Sequence, residues 1–269
     1  MKKNETYHDL AGQDTPKKKL KCIFVHGWGM NRVIWQPVIN SLPDWIEPVL
    51  VDLPGHGQRT SESFTSLAEL AGSLQSYAEE PALWVGWSLG GMAVTQLALD
   101  CPEKVAAMLL VSNSPCFVKR DDWQAGMEAE VFDTFAADLE NDFAITIQRF
   151  LSLQVRGSES GRNLLRHLRK EILAQPPANI NALRSGLQLL KTVDLRGAMH
   201  TLCMPTQWVL GERDTLVDVT LANELADIMP RSAVHVVVNT GHAPFLSHLD
   251  EFSEQLISFA KLIHEPLCD

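Results

Sequence analysis

Short apolar runs alternate with stretches of helical spacing through residue 115 of the chain. Each run is compact, is ended by Gly, Pro or Ser, and has the length of a buried strand. The runs lie at 21–27, 47–55, 81–88 and 105–114, and the helical stretches between them lie at 33–42, 66–79 and 89–101. Buried strands that alternate with helices predict a parallel sheet with helices on both faces.

The alternation stops after Pro115 and resumes near residue 205. Between about 120 and 192 no stretch resembles a strand, and amphipathic helical spacing fills the interval. Strand-like runs and helices then return, at 205–212, 218–229, 233–239 and 249–264. The pattern predicts an α/β core of residues 1–115 and 193–269, with a mostly parallel sheet. A helical cap, residues 116–192, is inserted into this core.

Composition narrows the class of protein without changing this architecture. The chain has 269 residues, 45% of them hydrophobic, which suits one large α/β domain with an insertion. A net charge of −10 argues against a nucleic-acid-binding protein. The five cysteines include no C-x-x-C pair, so we expect reduced thiols and no zinc site. Without an apolar signal or a membrane-length run, we expect a cytoplasmic, monomeric protein.

A single serine stands at the junction of a predicted strand and a predicted helix. The local sequence is Gly86-Trp87-Ser88-Leu89-Gly90, a G-x-S-x-G motif with apolar runs on both sides. In this context the motif is typical of a nucleophile elbow, a tight turn that exposes a serine hydroxyl above the sheet. The motif alone also occurs by chance in loops, so the flanking runs carry the prediction that Ser88 is a nucleophile.

A serine nucleophile needs a base and an orienting carboxylate, which follow it in the order acid then histidine in this fold. Asp214 and His242 lie in loops after the last two predicted strands, at the edge where the strands' carboxyl ends meet. Asp218 is the alternative acid, and we expect it to serve as a helix N-cap instead. Most of the other histidines are expected to be structural or exposed.

Acyl transfer also needs hydrogen-bond donors for an oxyanion. The backbone N–H of Leu89 directly follows the nucleophile. A second N–H, that of Trp28, is expected from the HGWG turn at 26–29, which follows the first predicted strand. The alternative is that this segment is only a glycine-rich turn. The predicted chemistry requires no metal and no organic cofactor.

One segment opposes the acidic balance of the chain. Residues 145–170 contain one acidic residue, Glu159, and six basic ones, a net charge of +5. The basic residues are Arg149, Arg156, Arg162, Arg166, Arg169 and Lys170. The last four have the i, i+4, i+7, i+8 spacing of one helical face, with leucines largely opposite. This face is either simply solvated or a docking surface for an acidic partner.

These motifs resemble the α/β-hydrolase superfamily and, within it, the biotin-synthesis carboxylesterases that cleave pimeloyl acyl-carrier protein methyl ester. The resemblance covers about residues 20–264. It is carried by HGWGMN, VDLPGHG, GWSLGG, SNSPCF, RFLSLQ, LKTVDLR and HAPFLSH. GWSLGG is shared widely in the superfamily, whereas SNSPCF, RFLSLQ and LKTVDLR lie in or beside the cap and are more specific.

The resemblance implies Ser88, Asp214 and His242 as nucleophile, acid and base, with Trp28 and Leu89 at the oxyanion and substrate carbonyl. It further implies an acyl pocket lined by Phe150, Leu151, Ser152, Leu153 and Gln154. It assigns carrier-protein docking to Arg149, Arg162 and Arg166. Ile145 stands where the family can have another arginine, while Arg156 adds a charge nearby.

The sequence therefore predicts a serine carboxylesterase that acts on a methyl ester held by an acyl-carrier protein. Two alternatives use the same triad: a broad short-chain carboxylesterase and a C–C bond hydrolase. A third, of another class, is a non-catalytic small-molecule receptor. The complete triad and oxyanion turn argue against the receptor. An epoxide or haloalkane hydrolase is disfavoured because such enzymes have aspartate at the nucleophile position.

Overall fold

The computed structural model describes residues 19–141, 145–146 and 159–264. The strands in these ranges form one parallel six-stranded sheet in the order β2-β1-β3-β4-β5-β6. They are β1 Leu20–Val25, β2 Ile46–Val51, β3 Ala82–Trp87, β4 Val105–Val111, β5 Thr206–Gly211 and β6 Ala233–Val237. Every residue of β3 and of β5 is buried, as continuous apolar runs predict for strands covered on both faces.

The helices of the described ranges pack around this sheet. They are α1 Gln36–Ile39, α2 Leu67–Gly72, α3 Leu89–Asp100, α4 Ala129–Asn141, α5 Glu159–Ala174, α6 Ile180–Thr192, α7 Leu221–Ile228, α8 Pro244–Ser247 and α9 Leu249–His264. Two predicted helices are shorter than their patterns suggest. The stretch 66–79 divides into α2 and a 3₁₀ turn at Gln75–Tyr77, and the stretch 33–42 begins as a 3₁₀ turn at Arg32–Trp35.

The strand order confirms the predicted α/β fold and fixes where a site can lie. The chain moves from β1 outward to β2, then returns to place β3 on the other side of β1. Such a reversal leaves a crevice between the carboxyl ends of the two strands, where open α/β sheets bind ligands. The HGWG turn follows β1 and Ser88 follows β3, so both predicted motifs lie at this switch point.

Helices α4, α5 and α6 lie in the chain between β4 and β5, in the segment predicted to be a cap. The two ends of this segment meet. Cys116 pairs with Asp194 in an isolated antiparallel bridge, and the Leu195 N–H donates to the Pro115 carbonyl at 2.8 Å. The Arg196 guanidinium donates to Asp194 and lies 5.1 Å from the centre of the Trp123 ring. These contacts hold the two ends of the inserted segment together.

The described helices include none that combines the length and the apolar character needed to cross a membrane.

Candidate active site

Ser88 occupies the turn between β3 and α3 in a strained backbone conformation. Its φ of 53° and ψ of −120° lie outside the regions that non-glycine residues ordinarily adopt. The side chain is 4% exposed, and it lines an internal cavity. As the N-cap of α3, Ser88 stands where the first helical N–H groups have no acceptor within the helix and where the helix dipole favours negative charge. The local geometry is that of a nucleophile elbow.

The two glycines of the motif are required by close packing around the turn. A Cβ atom at Gly90 would lie 2.4 Å from the carbonyl oxygen of His26, and one at Gly86 would lie 2.6 Å from the Cα of Gly91. Both distances are far shorter than a carbon atom tolerates. The turn can therefore be this tight only with glycine on either side of Ser88.

Asp214 and His242 form a buried hydrogen-bonded pair. The Nδ1 of His242 lies 2.8 Å from the Oδ2 of Asp214, and both side chains are at most 2% exposed. Because a carboxylate can only accept, Nδ1 carries the proton and Nε2 is left with a lone pair. Nε2 is buried and has no hydrogen-bond partner among the described residues. An imidazole held in this tautomer is prepared to accept a proton.

The other carboxylate oxygen of Asp214 is bonded within its own loop, residues 212–217, which we call the acid loop. Its Oδ1 accepts from the backbone N–H groups of Leu216 at 2.8 Å and Val217 at 3.1 Å. The carboxylate is thus oriented by its own loop before it orients the histidine.

Asp218 has a different role from Asp214. Its Oδ1 accepts from the N–H of Thr220 at 2.8 Å and from the Thr220 hydroxyl at 2.7 Å, and these bonds lower the pKa of its carboxyl. The prediction that Asp218 is a helix N-cap is wrong, because α7 begins at Leu221 and its N-cap is Thr220. Asp218 is a turn residue before the helix, and the structure brings Asp214, not Asp218, to His242.

Trp87 connects the turn at Ser88 to the loop that carries His242, residues 238–243, which we call the histidine loop. Its indole Nε1 donates to the backbone carbonyl of His242 at 2.8 Å, and its ring centre lies 5.7 Å from the imidazole centre. Since Trp87 directly precedes Ser88, one buried side chain sets the position of the histidine loop relative to the serine. Sequence reasoning did not identify this contact, although a tryptophan in the variable position before the serine was a visible signal.

The turn after β1 is held by a buried neutral histidine. His26 Nδ1 lies 2.8 Å from the Gly27 carbonyl, and its Nε2 accepts from the Leu53 N–H at 3.0 Å. Burial lowers the pKa of His26 to about 4, and burial also lowers the pKa of the neighbouring His56 to about 3. A neutral ring matches the bond from Leu53, since a protonated Nε2 could not accept it.

Trp28 and Leu89, the two predicted oxyanion residues, are both buried. Trp28 is 1% exposed and lines the same cavity as Ser88, and Leu89 is fully buried as the first residue of α3. The N–H of Leu89 belongs to the first helical turn, whose donors lack intrahelical acceptors. The predicted oxyanion residues therefore stand on the two turns of the switch point, next to the serine.

A small apolar cavity, partly open to solvent, lies at Ser88. Its walls come from the turn after β1, the segment before α4, the two helices α4 and α6, and the acid loop. The lining residues are Trp28, Ser88, Phe117, Met127, Val131, Phe132, Phe135, Leu187, Leu190 and Leu216. The predicted pocket residues 150–154 lie outside the described residues. The walls on α4 and α6 were not identified from sequence, because helical apolar spacing does not distinguish a cavity wall from a core contact.

The predicted docking residues divide between described and undescribed parts of the chain. Arg162 and Arg166 are exposed on α5, together with Arg169 and Lys170. Arg149 lies outside the described residues. On the opposite side of α5, Leu165, Leu168 and Ile172 are each at most 9% exposed. The predicted amphipathic face is therefore present. Ile145 is also exposed, at 47%.

The chain belongs to the Alpha/beta hydrolase family, whose sequence profile matches residues 22–255. Solved structures with this fold include an esterase from Exiguobacterium antarcticum, with a TM-score of 0.81 and 20% identity over 91% of this chain and 93% of that one. An esterase from Thermogutta terrifontis has a TM-score of 0.77 and 18% identity over 92% of each chain.

An enol-lactonase from Burkholderia xenovorans LB400 is as similar in fold. Its TM-score is 0.77, with 15% identity over 91% of this chain and 93% of that one. At these identities the similarity extends to the fold alone, and esterases and a lactonase share it.

Proposed function

We propose that the chain is a serine carboxylesterase that hydrolyses the methyl ester of pimeloyl acyl-carrier protein to pimeloyl acyl-carrier protein and methanol. The observation that carries the serine-hydrolase part is the buried Asp214–His242 pair. Its Nε2 has no partner in the described part of the chain, and the His242 carbonyl is bonded to Trp87, the residue before Ser88. The finer substrate rests on the motifs shared with the biotin-synthesis carboxylesterases and on the basic face of α5.

In the first half of the reaction the Ser88 Oγ attacks the ester carbonyl carbon while His242 Nε2 takes the hydroxyl proton. Asp214 keeps the imidazole in the correct tautomer and stabilises its cation. The carbonyl oxygen becomes an oxyanion, which the N–H groups of Trp28 and Leu89 stabilise. When the tetrahedral intermediate collapses, the bond to the methoxy oxygen breaks, and His242 returns its proton to release methanol.

In the second half, water hydrolyses the acyl-enzyme. His242 takes a proton from the water as its oxygen attacks the ester carbonyl, and the same two N–H groups receive the oxyanion. Collapse of this intermediate breaks the bond to Ser88 Oγ and returns the proton to the serine. The product is a carboxylic acid still attached to its carrier, and the free enzyme is restored.

The carrier part of the proposal is supported by charge. Arg162 and Arg166 are exposed on a helix of a segment with net charge +5, in a chain of net charge −10. An acyl-carrier protein is acidic, and opposite charge steers encounter between proteins.

The deciding experiment is mass spectrometry of pimeloyl acyl-carrier protein methyl ester before and after incubation with the enzyme. A loss of one methyl group as methanol, absent with Ser88→Ala, is the expected result. An unchanged mass with the wild-type enzyme would contradict the substrate assignment. If the enzyme still hydrolyses p-nitrophenyl butyrate, the serine-hydrolase assignment survives.

A short-chain carboxylesterase of broad specificity is the second candidate, favoured by the apolar side chains that, among the described residues, line the cavity beside Ser88. Single-turnover rates for a carrier-bound ester and the matching free methyl ester separate the two. A carrier-selective enzyme acylates at least tenfold faster from the carrier-bound ester, whereas equal rates favour the broad esterase.

A further inference from the structure

Two buried side chains tie the turn after β1 to the helices inserted between β4 and β5. The Trp28 indole Nε1 donates to the Leu183 carbonyl on α6 at 2.8 Å, and the Asn31 amide Nδ2 donates to the Ile172 carbonyl on α5 at 3.1 Å. The turn proposed to supply one oxyanion donor is therefore hydrogen-bonded to the inserted segment and, through His26, to Leu53 after β2.

Gly186 brings α6 against both oxyanion residues at once. A Cβ atom at this position would lie 2.7 Å from Cδ1 of Trp28 and 3.0 Å from Cδ2 of Leu89. Glycine in the interior of a helix costs about 1 kcal/mol relative to alanine. Local helix stability therefore favours alanine here, and the close approach to the two side chains is what requires glycine.

We infer that Gly186 is a positioning residue for the oxyanion site: it lets α6 lie close enough to set the relative positions of Trp28 and Leu89. This inference rests on the proposed serine-hydrolase function. Oxyanion donors must lie about 2.7–3.1 Å from the developing negative charge, and the loss of one donor lowers kcat by about 10²–10³-fold. A methyl group at position 186 must displace Trp28, Leu89 or α6 by several tenths of an ångström, which misaligns a donor without removing it.

The first test compares Gly186→Ala with the wild-type enzyme on p-nitrophenyl butyrate and on a short alkyl trifluoromethyl ketone. The ketone adds to Ser88 and forms an oxyanion, so its Ki measures the donors directly. We expect kcat to fall about 10- to 100-fold and Ki to rise by a similar factor, with KM changed by less than about threefold. A loss of general packing would not raise Ki while sparing KM.

Gly72→Ala is the matched control, because Gly72 is also a helical glycine and nothing lies within 4 Å of the Cβ that alanine would add. Its kcat, KM and Ki should equal those of the wild-type enzyme. Unchanged constants in a folded Gly186→Ala enzyme would overturn the inference.

A second variant tests whether Gly186 acts through Trp28. Trp28→Ala removes the bond to Leu183 and the Cδ1 atom that Gly186 faces, but retains the backbone N–H. We expect this variant to raise Ki by itself and to make Gly186→Ala nearly silent when the two are combined, because both changes disturb one contact. Losses that multiply in the double variant would overturn the inference. If Gly186→Ala does not fold, an unchanged ratio of Ki to KM in Trp28→Ala would overturn it.

Hydrolysis by the wild-type enzyme, and its loss in Ser88→Ala, are measured first. Their absence would overturn the proposed function and the positioning role together. Their presence with normal Gly186→Ala constants would overturn only the positioning role.

Discussion

The sheet and the inserted helices hold different parts of the candidate site. Ser88, Asp214 and His242 stand on loops after β3, β5 and β6. Asp214 is bonded to the His242 ring, and Trp87, which precedes Ser88, is bonded to the His242 carbonyl. The turn of Trp28 follows β1, yet its indole is bonded to α6. The proposed triad is thus positioned by the core, whereas the turn of Trp28, which is proposed to supply an oxyanion donor, is held by the core and the inserted segment together.

Mutations in the sheet loops and mutations in the inserted helices should therefore have different effects on catalysis. A fault in the sheet loops should stop nucleophilic attack on every ester. A mutation in α6 should leave the serine and its base intact while it weakens stabilisation of the oxyanion. A mutation on the exposed face of α5 should weaken recruitment of a partner. The following predictions test this division, beginning with the largest expected effect.

Ser88→Ala removes the proposed nucleophile, which stands after β3 of the sheet. We expect kcat on p-nitrophenyl butyrate to fall by about 10⁵-fold or more, since the loss of a triad serine has effects of this size. A fluorophosphonate label should no longer attach. Thermal unfolding should match that of the wild-type enzyme, and near-normal kcat in the folded variant would exclude Ser88 as the nucleophile.

Asp214→Asn tests the assignment of the acid. An amide in place of the carboxylate favours the wrong tautomer of His242, and we expect kcat to fall by about 10⁴-fold. Asp218→Asn is the control four residues away and should cost less than about tenfold, because its carboxylate bonds only to Thr220 among the described residues. The reverse ranking in kcat would transfer the acid role to Asp218.

Acid should destabilise the turns on the sheet side through His26 and His56. Their pKa values in the folded protein, about 4 and about 3, lie below the ordinary 6.5, so the unfolded chain binds protons more tightly. The free energy of unfolding is therefore highest above pH 6.5 and falls as the pH drops towards 4. At pH 5 each histidine should cost about 2 kcal/mol relative to neutral pH.

Urea unfolding at pH 7 and pH 5 measures this loss. His56→Phe provides a ring of similar size that cannot titrate, and it should remove about half of the difference between the two pH values. If His56→Phe loses as much stability as the wild-type protein between pH 7 and pH 5, His56 does not contribute to the acid sensitivity.

The smallest effect is expected from the outer face of α5. Replacement of Arg162 and Arg166 by alanine should lower kcat/KM for a carrier-bound ester by about 2- to 30-fold at low salt, because exposed ion pairs contribute only about 0.2–1 kcal/mol each. The loss should shrink as salt rises, since screening limits such charges to about 8 Å at physiological ionic strength. Hydrolysis of p-nitrophenyl butyrate should stay normal.

The matched control replaces Arg231 and Lys261, two exposed basic residues outside α5. This variant should retain the wild-type kcat/KM for both substrates at both salt concentrations. Equal losses on the carrier-bound and the small ester in the α5 variant would mean that its arginines stabilise the inserted segment, and the docking role would be wrong.

The sequence alone determined the parallel sheet and the positions of three chemical groups at its edge. Apolar runs and helical spacing are local properties, so the strands were predicted to within a few residues. The order of Ser88, Asp214 and His242, each after a predicted strand, was enough to predict that they lie at one edge of the sheet, because parallel strands end at a common edge. The exposed cations of α5 were predicted by helical spacing in the same way.

Only the tertiary structure decided which groups make contact. The pairing of His242 with Asp214 instead of Asp218 depends on the conformation of the acid loop, in which the N–H groups of Leu216 and Val217 donate to the Asp214 carboxylate. The approach of Gly186 to Trp28 and Leu89 joins segments far apart in the chain, and nothing in the local pattern of α6 distinguishes a glycine that packs against a tryptophan from one that faces solvent. Periodicity reports which face of an element is buried, whereas packing between elements determines what that face meets.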